Sequence, residues 1–333
     1  MSAEISQQPD ALGALITRRT EILEEVRNVQ RADHPGVIFV ARGSSDNAAL
    51  AGRYAVEMTS RRPAALGALS MHNRYGCQSD LAGWLVVGVS QSGATPEVID
   101  YTAFARRGGA RTIAVTNGTD NPLADAAHVA ISLDTGPEKA VPATKTFTAT
   151  VAVLLFIAEA LGPSPWEDQW DDVPAAVAGC LTDPPSSEMA RSLAQSQRIL
   201  VVARGVLTAA AHETALKLQE TTGRTVSAYS SADLYHGPIA SYGRETTAIV
   251  IGADGPTGPD AVGVAETLGQ RGVEVIRVGS ADPNSDLATP PRHDALSVIT
   301  TSVRGQQLAL GLARILGSDP DHPEGLAKVT YTV

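Results

Sequence analysis

Val37-Ile38-Phe39-Val40-Ala41-Arg42-Gly43-Ser44-Ser45 starts as an apolar, β-branched run and ends in small hydroxylated residues; Ile199-Leu200-Val201-Val202-Ala203-Arg204-Gly205 repeats it down to the Ala-Arg-Gly. Runs that are apolar at nearly every position, not at alternate ones, belong to strands covered on both faces. Three more strands are predicted downstream of the first run, at Leu85-Val86-Val87-Gly88-Val89, at 112–116 and at 128–133, with helical stretches between most of them. The second run is followed by matching stretches at 248–252, 273–278 and 295–299, with paired starts roughly 161 to 167 residues apart. Alternating strands and helices at a fixed offset predict an α/β chain of two tandem, doubly wound parallel-sheet domains, each a three-layer α/β/α unit.

The chain has 333 residues, which fits two such domains. An amphipathic helix is expected over residues 1–30, since Leu12, Leu15, Ile16, Ile22, Leu23 and Val26 recur at helical spacing. The first domain is placed at 31–162 and the second at 189–320. Between them, 163–188 is a linker with several prolines, two tryptophans and acidic residues; 321–333 is a C-terminal tail containing Lys328. The apolar run 149–161 is interrupted by Glu159, is shorter than the roughly 20 residues of a membrane span and reads as a buried helix.

Composition narrows the function classes. A formal net charge of -10 opposes non-specific attraction to nucleic acid. Cys77 and Cys180 form neither a disulfide framework nor a metal-ligand cluster, and the N-terminus lacks a basic, then apolar, leader pattern. A cytoplasmic protein with no nucleic-acid or membrane partner, no metal and no cofactor is therefore expected. No spaced glycines follow Arg204-Gly205, so the dinucleotide fingerprint is missing.

Two strand ends carry serine-rich turns, Gly43-Ser44-Ser45 and Ser90-Gln91-Ser92-Gly93-Ala94-Thr95. The second leads into Pro96-Glu97-Val98-Ile99, a helix start with Thr95 as cap and Pro96 at the first helical position. Small residues let backbone N–H groups approach a ligand, hydroxyls add neutral donors, and helix N-termini favour anions, so these turns can hold a phosphate without an obligatory lysine or arginine. In the second half, Glu213, Lys217 and Glu220 fall at i, i+4 and i+7 of a strongly helical stretch and share one face. His236 sits in a Tyr-His-Gly-Pro loop, and Lys328 in an apolar tail. Carboxylates, an imidazole and amines can move protons beside a carbonyl or form an imine, but spacing alone does not join them into one site.

Together with Gly136-Pro137-Glu138, Ala143-Thr144-Lys145 and Leu326-Ala327-Lys328, these motifs run in an order that resembles the sugar isomerase (SIS) family. The similarity is to the isomerase half of glutamine–fructose-6-phosphate aminotransferase and to stand-alone glucosamine-6-phosphate deaminases, and it extends over nearly the whole chain after the first helix. It implies flavodoxin-like domains and a homodimer with shared active sites. Carried over by resemblance, Ser44, Ser45, Ser90, Gln91, Ser92 and Thr95 form the sugar-phosphate cradle, and Val141 and Ala327 contact the sugar through the backbone. The resemblance also makes Glu220 the base that moves a proton between C1 and C2, with Lys217 and Glu213 beside it. His236 is the ring-opening group, supplied by the adjacent subunit, and Lys328 contacts the open-chain sugar. Pro142 and Ala143 depart from the aminotransferase pattern, where a serine is typical at the second position. The sequence begins Met1-Ser2 with no glutaminase segment, so glutamine-dependent synthesis is not expected. The leading expectation is deamination and isomerisation of glucosamine 6-phosphate. The alternatives are a lyase that dehydrates an N-acetylhexosamine 6-phosphate, and a non-catalytic sugar-phosphate sensor.

Overall fold

The structure, a computed structural model, describes residues 1–328. The chain divides into two compact units, one comprising Ala11–Glu138 with Lys145–Glu167, the other Met1–Asp10, Lys139–Thr144 and Asp168–Lys328. The loop 139–144 thus leaves the first unit and is built into the second.

The chain opens with helices α1 (Ser2–Ser6), α2 (Gln8–Thr17) and α3 (Arg19–Val29), so the single N-terminal helix expected from periodicity is broken at Gln7 and Arg18. Strands β1 (Val37–Val40), β2 (Ala64–Leu66), β3 (Leu85–Val89), β4 (Arg111–Thr116) and β5 (Val129–Ser132) form one sheet in the order β2-β1-β3-β4-β5, and every pairing is parallel. The intervening helices are α4 (Ser44–Ser60), α5 (Leu69–Asn73), α6 (Pro96–Arg107), α7 (Pro122–Ala126) and α8 (Lys145–Leu161). Helices α3, α4 and α8 pack together against the sheet, and α5, α6 and α7 form a separate layer. Val40, Val86 and Ala114 from the strands meet Val98, Tyr101 and Phe104 of α6 in one core cluster. Helix α8 is buried almost throughout, and its interrupting Glu159 is ion-paired with Arg19 Nε at 2.7 Å.

The second unit repeats the plan. Helices α9 (Val173–Thr182) and α10 (Ser187–Gln195) precede β6 (Arg198–Ala203), α11 (Thr208–Thr222), β7 (Val226–Ser230), α12 (Ser231–Tyr235), β8 (Thr246–Gly252), α13 (Gly258–Gln270), β9 (Glu274–Gly279), β10 (Leu287–Ala288) and α14 (Asp294–Leu316). Its sheet order, β7-β6-β8-β9-β10, is the first sheet's order in corresponding strands, again all parallel. Matching connectivity at an offset of about 160 residues carries the duplication further than similar strand composition can.

One strand prediction is corrected. Residues 295–299 open the 23-residue helix α14 and form no strand; the second sheet's last strand is the two-residue β10. An apolar run of five residues cannot be told from a segment of fully buried helix by periodicity, and α14 is buried from Asp294 to Leu310. The His293 side chain caps it by accepting from Ala295 N–H at 3.2 Å. The stretch 163–188 contains α9, and Trp166 and Trp170 in it are buried.

Candidate functional site

The two serine-rich turns follow β1 and β3, which are hydrogen-bonded neighbours in the first sheet. In the order 2-1-3-4-5 the chain reverses its direction of travel across the sheet between these strands, leaving a crevice at their carboxyl ends where open α/β sheets receive ligands. Gly43 has φ 58°, a backbone that L side chains rarely adopt, and its carbonyl accepts from the N–H groups of Asp46 and Asn47, turning β1 directly into α4 at Ser44. Ser44 and Ser45 are therefore first-turn residues, where helix N–H groups lack intrahelical acceptors.

After β3, Ser90 is buried, its N–H reaching Val115 O on β4, and its hydroxyl lies 2.9 Å from that of Thr95. Thr95 does occupy the cap position of α6, with Pro96 following, but its side chain makes no capping bond and turns to Ser90 instead. Ser92 Oγ accepts from Ala94 N–H, while Gln91 and Thr95 are half-buried. Arg42 Nε donates to Glu97 Oε2 at 2.8 Å, an ion pair joining the end of β1 to the first turn of α6 that sequence reasoning missed.

Gly93 (φ 64°) fixes this turn. A Cβ there would lie 2.0 Å from Asn121 Oδ1, the atom that caps α7 by accepting from Ala124 N–H. Gly93→Ala is expected to destabilise the protein by about 1–3 kcal/mol through strain at this φ and the displaced cap; denaturant unfolding measures it.

In the second unit, α11 presents Glu213, Lys217 and Glu220 on one face, as the spacing predicts. The face is not solvated: the side chains of Glu213 and Lys217 are 1% and 0% exposed, and that of Glu220 is 21% exposed. Helix α11 lies between β6, β7 and α14, and at Gly305 of α14 an added Cβ would lie 2.0 Å from Thr214 Oγ1. That close approach encloses the charged face. Lys217 Nζ is 3.3 Å from Glu213 Oε1 and bonds Glu220 Oε2. Burial alone would lower the lysine's pKa, but the charges of Glu213 and then Glu220 outweigh it and raise the pKa above its ordinary value. The ammonium stays charged, flanked by two carboxylates.

Glu220 opens onto a cavity of about 580 Å³ lined also by Gln219, Ser318, Asp319, His322 and Glu324. Asp319 and His322 are paired at 3.2 Å. These tail residues are more than 90 positions away in sequence, and no spacing pattern links them to Glu220. Ala327 and Lys328 follow in the same tail. Lys328 Nζ donates to Ala140 O at 2.6 Å, next to Val141, whose N–H donates to Asp321 O at 3.0 Å. Val141 and Lys328, named separately from the sequence, are therefore brought together. His236 is not in the cavity lining; it is exposed on the turn after α12, before Gly237 with φ 132°.

The SIS domain pattern matches this chain twice, at residues 32–160 and 192–310. The glutamine–fructose-6-phosphate aminotransferase (isomerizing) of Thermococcus kodakarensis is 30% identical over 98% of the chain, which spans 57% of that relative's length. A candidate phosphosugar isomerase from Silicibacter pomeroyi superposes with a TM-score of 0.87 at 27% identity, covering 96% of this chain and 98% of that one. The glucosamine-6-phosphate deaminase of Thermotoga maritima shares the fold, with a TM-score of 0.84 at 22% identity and 99% of each chain covered.

Proposed function

The chain belongs to the SIS domain family, and from this we propose that it is an enzyme of hexosamine 6-phosphates, converting glucosamine 6-phosphate and water to fructose 6-phosphate and ammonia. The observation that carries the proposal is Glu220, a carboxylate opening onto a cavity and held from behind by a fully buried, charged lysine. A solvated surface helix has no use for that arrangement, whereas a proton-transfer group needs a fixed carboxylate with one side open to substrate. The serine turns support a phosphorylated substrate, since they offer hydroxyls and two helix starts beside one sheet crevice.

In the proposed chemistry, Ser44, Ser45, Ser90, Gln91, Ser92 and Thr95 form the phosphate cradle, with Ser90 and Thr95 shaping it through their mutual bond. His236 protonates the ring oxygen as the sugar opens. Lys328 and the backbone of Val141 and Ala327 hold the open chain. Glu220 takes the proton from C2 and returns it at C1, leaving an imine at C2 that water hydrolyses to the ketone and ammonia. Glu213 and Lys217 keep Glu220 in place.

Purified protein incubated with glucosamine 6-phosphate is expected to release ammonia and fructose 6-phosphate in equal amounts. Loss of one water from N-acetylglucosamine 6-phosphate without ammonia would make the protein a lyase, and saturable binding without any product would make it a sensor. Either result overturns the deaminase assignment. The exposed position of His236 fits a group that serves a neighbouring subunit in a homodimer. Glu220→Gln and His236→Ala homodimers are then each expected to be inactive, while mixed dimers regain activity; no recovery would place His236 in its own subunit's site. The free thiols Cys77 and Cys180 fit residence in the reducing cytoplasm.

A further inference from the structure

The loop 139–144 is held by the N-terminal helices, through residues that have no part in the chemistry above. Glu4 Oε1 of α1 accepts from the N–H groups of both Lys139 and Ala140, the latter at 3.1 Å. At the loop's other end, Gln8 Nε2 donates to Gln306 Oε1 at 2.9 Å, and Gln306 Nε2 donates to Thr144 O at 3.2 Å. Gln8 and Gln306 are fully buried, and Glu4 is nearly so. With Asp321 O on Val141 N–H and Lys328 Nζ on Ala140 O, the loop is fixed by backbone bonds at residues 139, 140, 141 and 144.

We propose that Glu4 and Gln8 are positioning residues that hold the 139–144 loop, and through Ala140 the Lys328 amine, in the geometry needed to grip the open-chain sugar. This rests on the assignment of Val141 and Lys328 as sugar contacts. A carboxylate oxygen accepting two consecutive amides makes charge-assisted bonds, about twice as strong as neutral ones, and fixes the two peptide planes that lead into Ala140. The next plane, which carries the Ala140 carbonyl, is held on its other side by Val141 N–H on Asp321 O. That carbonyl accepts from Lys328, so loosening the amide side of the loop weakens this bond as well. The glutamine pair does the same at the far end, where loss of the Gln8 side chain would leave the buried Gln306 Oε1 without the bond from Gln8 Nε2. Pro142, which fixes its own φ, stiffens the segment between the two anchors.

Hydrogen exchange of the unliganded protein tests the clamp apart from turnover. In Glu4→Ala the amides of residues 139–141 are expected to exchange at least about tenfold faster than in the wild type, with protection elsewhere retained. In Glu4→Gln, which keeps an acceptor oxygen, most of that protection should return. With glucosamine 6-phosphate, Glu4→Ala should raise KM about tenfold and lower kcat less, and Glu4→Gln should recover most of the loss. Should Glu4→Ala fail to fold, Glu4→Asp, one methylene shorter, is expected to show the same pattern more weakly. Unchanged exchange at 139–141, or faster exchange with unaltered kinetic constants, overturns the positioning role. A wild type that turns over no hexosamine phosphate would remove the function proposed above, and the exchange pattern would still decide the clamp.

Discussion

Glu220→Gln is expected to lower turnover of glucosamine 6-phosphate by about 10²- to 10⁴-fold, the usual loss when a positioned proton-transfer group is removed, while sugar-phosphate affinity changes little. Gln has nearly the shape of Glu, and its amide oxygen can still accept from Lys217 Nζ, so the packing of α11 survives. What is lost is the ability to take a proton from carbon and give it back. Ammonia release measured beside isothermal titration with fructose 6-phosphate separates the two effects. If the variant keeps near-normal turnover, Glu220 is not the base. If it loses binding in step with turnover, the carboxylate is a contact and not a catalyst. The serine turns predict the complementary behaviour: Ser44→Ala with Ser92→Ala should weaken phosphate binding and raise KM with a smaller effect on kcat.

Much of this scaffold could be read from residues 37–45, because a strand buried on both faces has no polar side to disguise it. The same holds for β3, β4, β6 and β8, all nearly continuous in buried residues. The strands that escaped notice are β2, Ala-Ala-Leu at an edge of the first sheet, β7, Val-Ser-Ala-Tyr-Ser at an edge of the second, and the two-residue β10; β2 and β7 have small or polar residues because one side is less covered. The misreading of 295–299 has the converse cause, since a helix buried all round shows no polar stripe to reveal its period. At the candidate site, spacing placed Glu213, Lys217 and Glu220 on one face but could not tell whether that face was wet. Burial there depends on Thr214 meeting Gly305, a contact across 91 positions of sequence. The Glu4 clamp and the Asp319–His322 pair were likewise hidden, as each becomes meaningful only against residues far along the chain.

Lys217→Met is expected to be the most destabilising single change in α11, costing about 3–5 kcal/mol, the range for removing one partner of a buried ion pair. Methionine fills much of the same volume, so the loss is electrostatic: the Glu213 carboxylate, with 1% of its side chain exposed, loses the ammonium that stood 3.3 Å away. Adding Glu213→Gln to Lys217→Met should recover a large part of the loss by removing the buried charge that Lys217 had balanced, although Glu220 would still lack the lysine bond and turnover would stay low. The pH dependence separates this from a packing defect. In the wild type the folded-state pKa of Lys217 is raised, so its contribution is complete below the unfolded value of about 10.4 and is lost as pH climbs through the higher folded value. In Lys217→Met the sign moves to the acid side. With the Lys217 ammonium gone, burial disfavours the charged form of Glu213, so the penalty grows as pH rises from the unfolded carboxylate value of about 4.3 and levels off above the higher folded value. The deficit of the variant should therefore be smaller near pH 4 than at pH 7, as measured by urea unfolding at each pH. A deficit equal at both pH values would mean that Lys217 is filling space, with no part in holding Glu220 by charge.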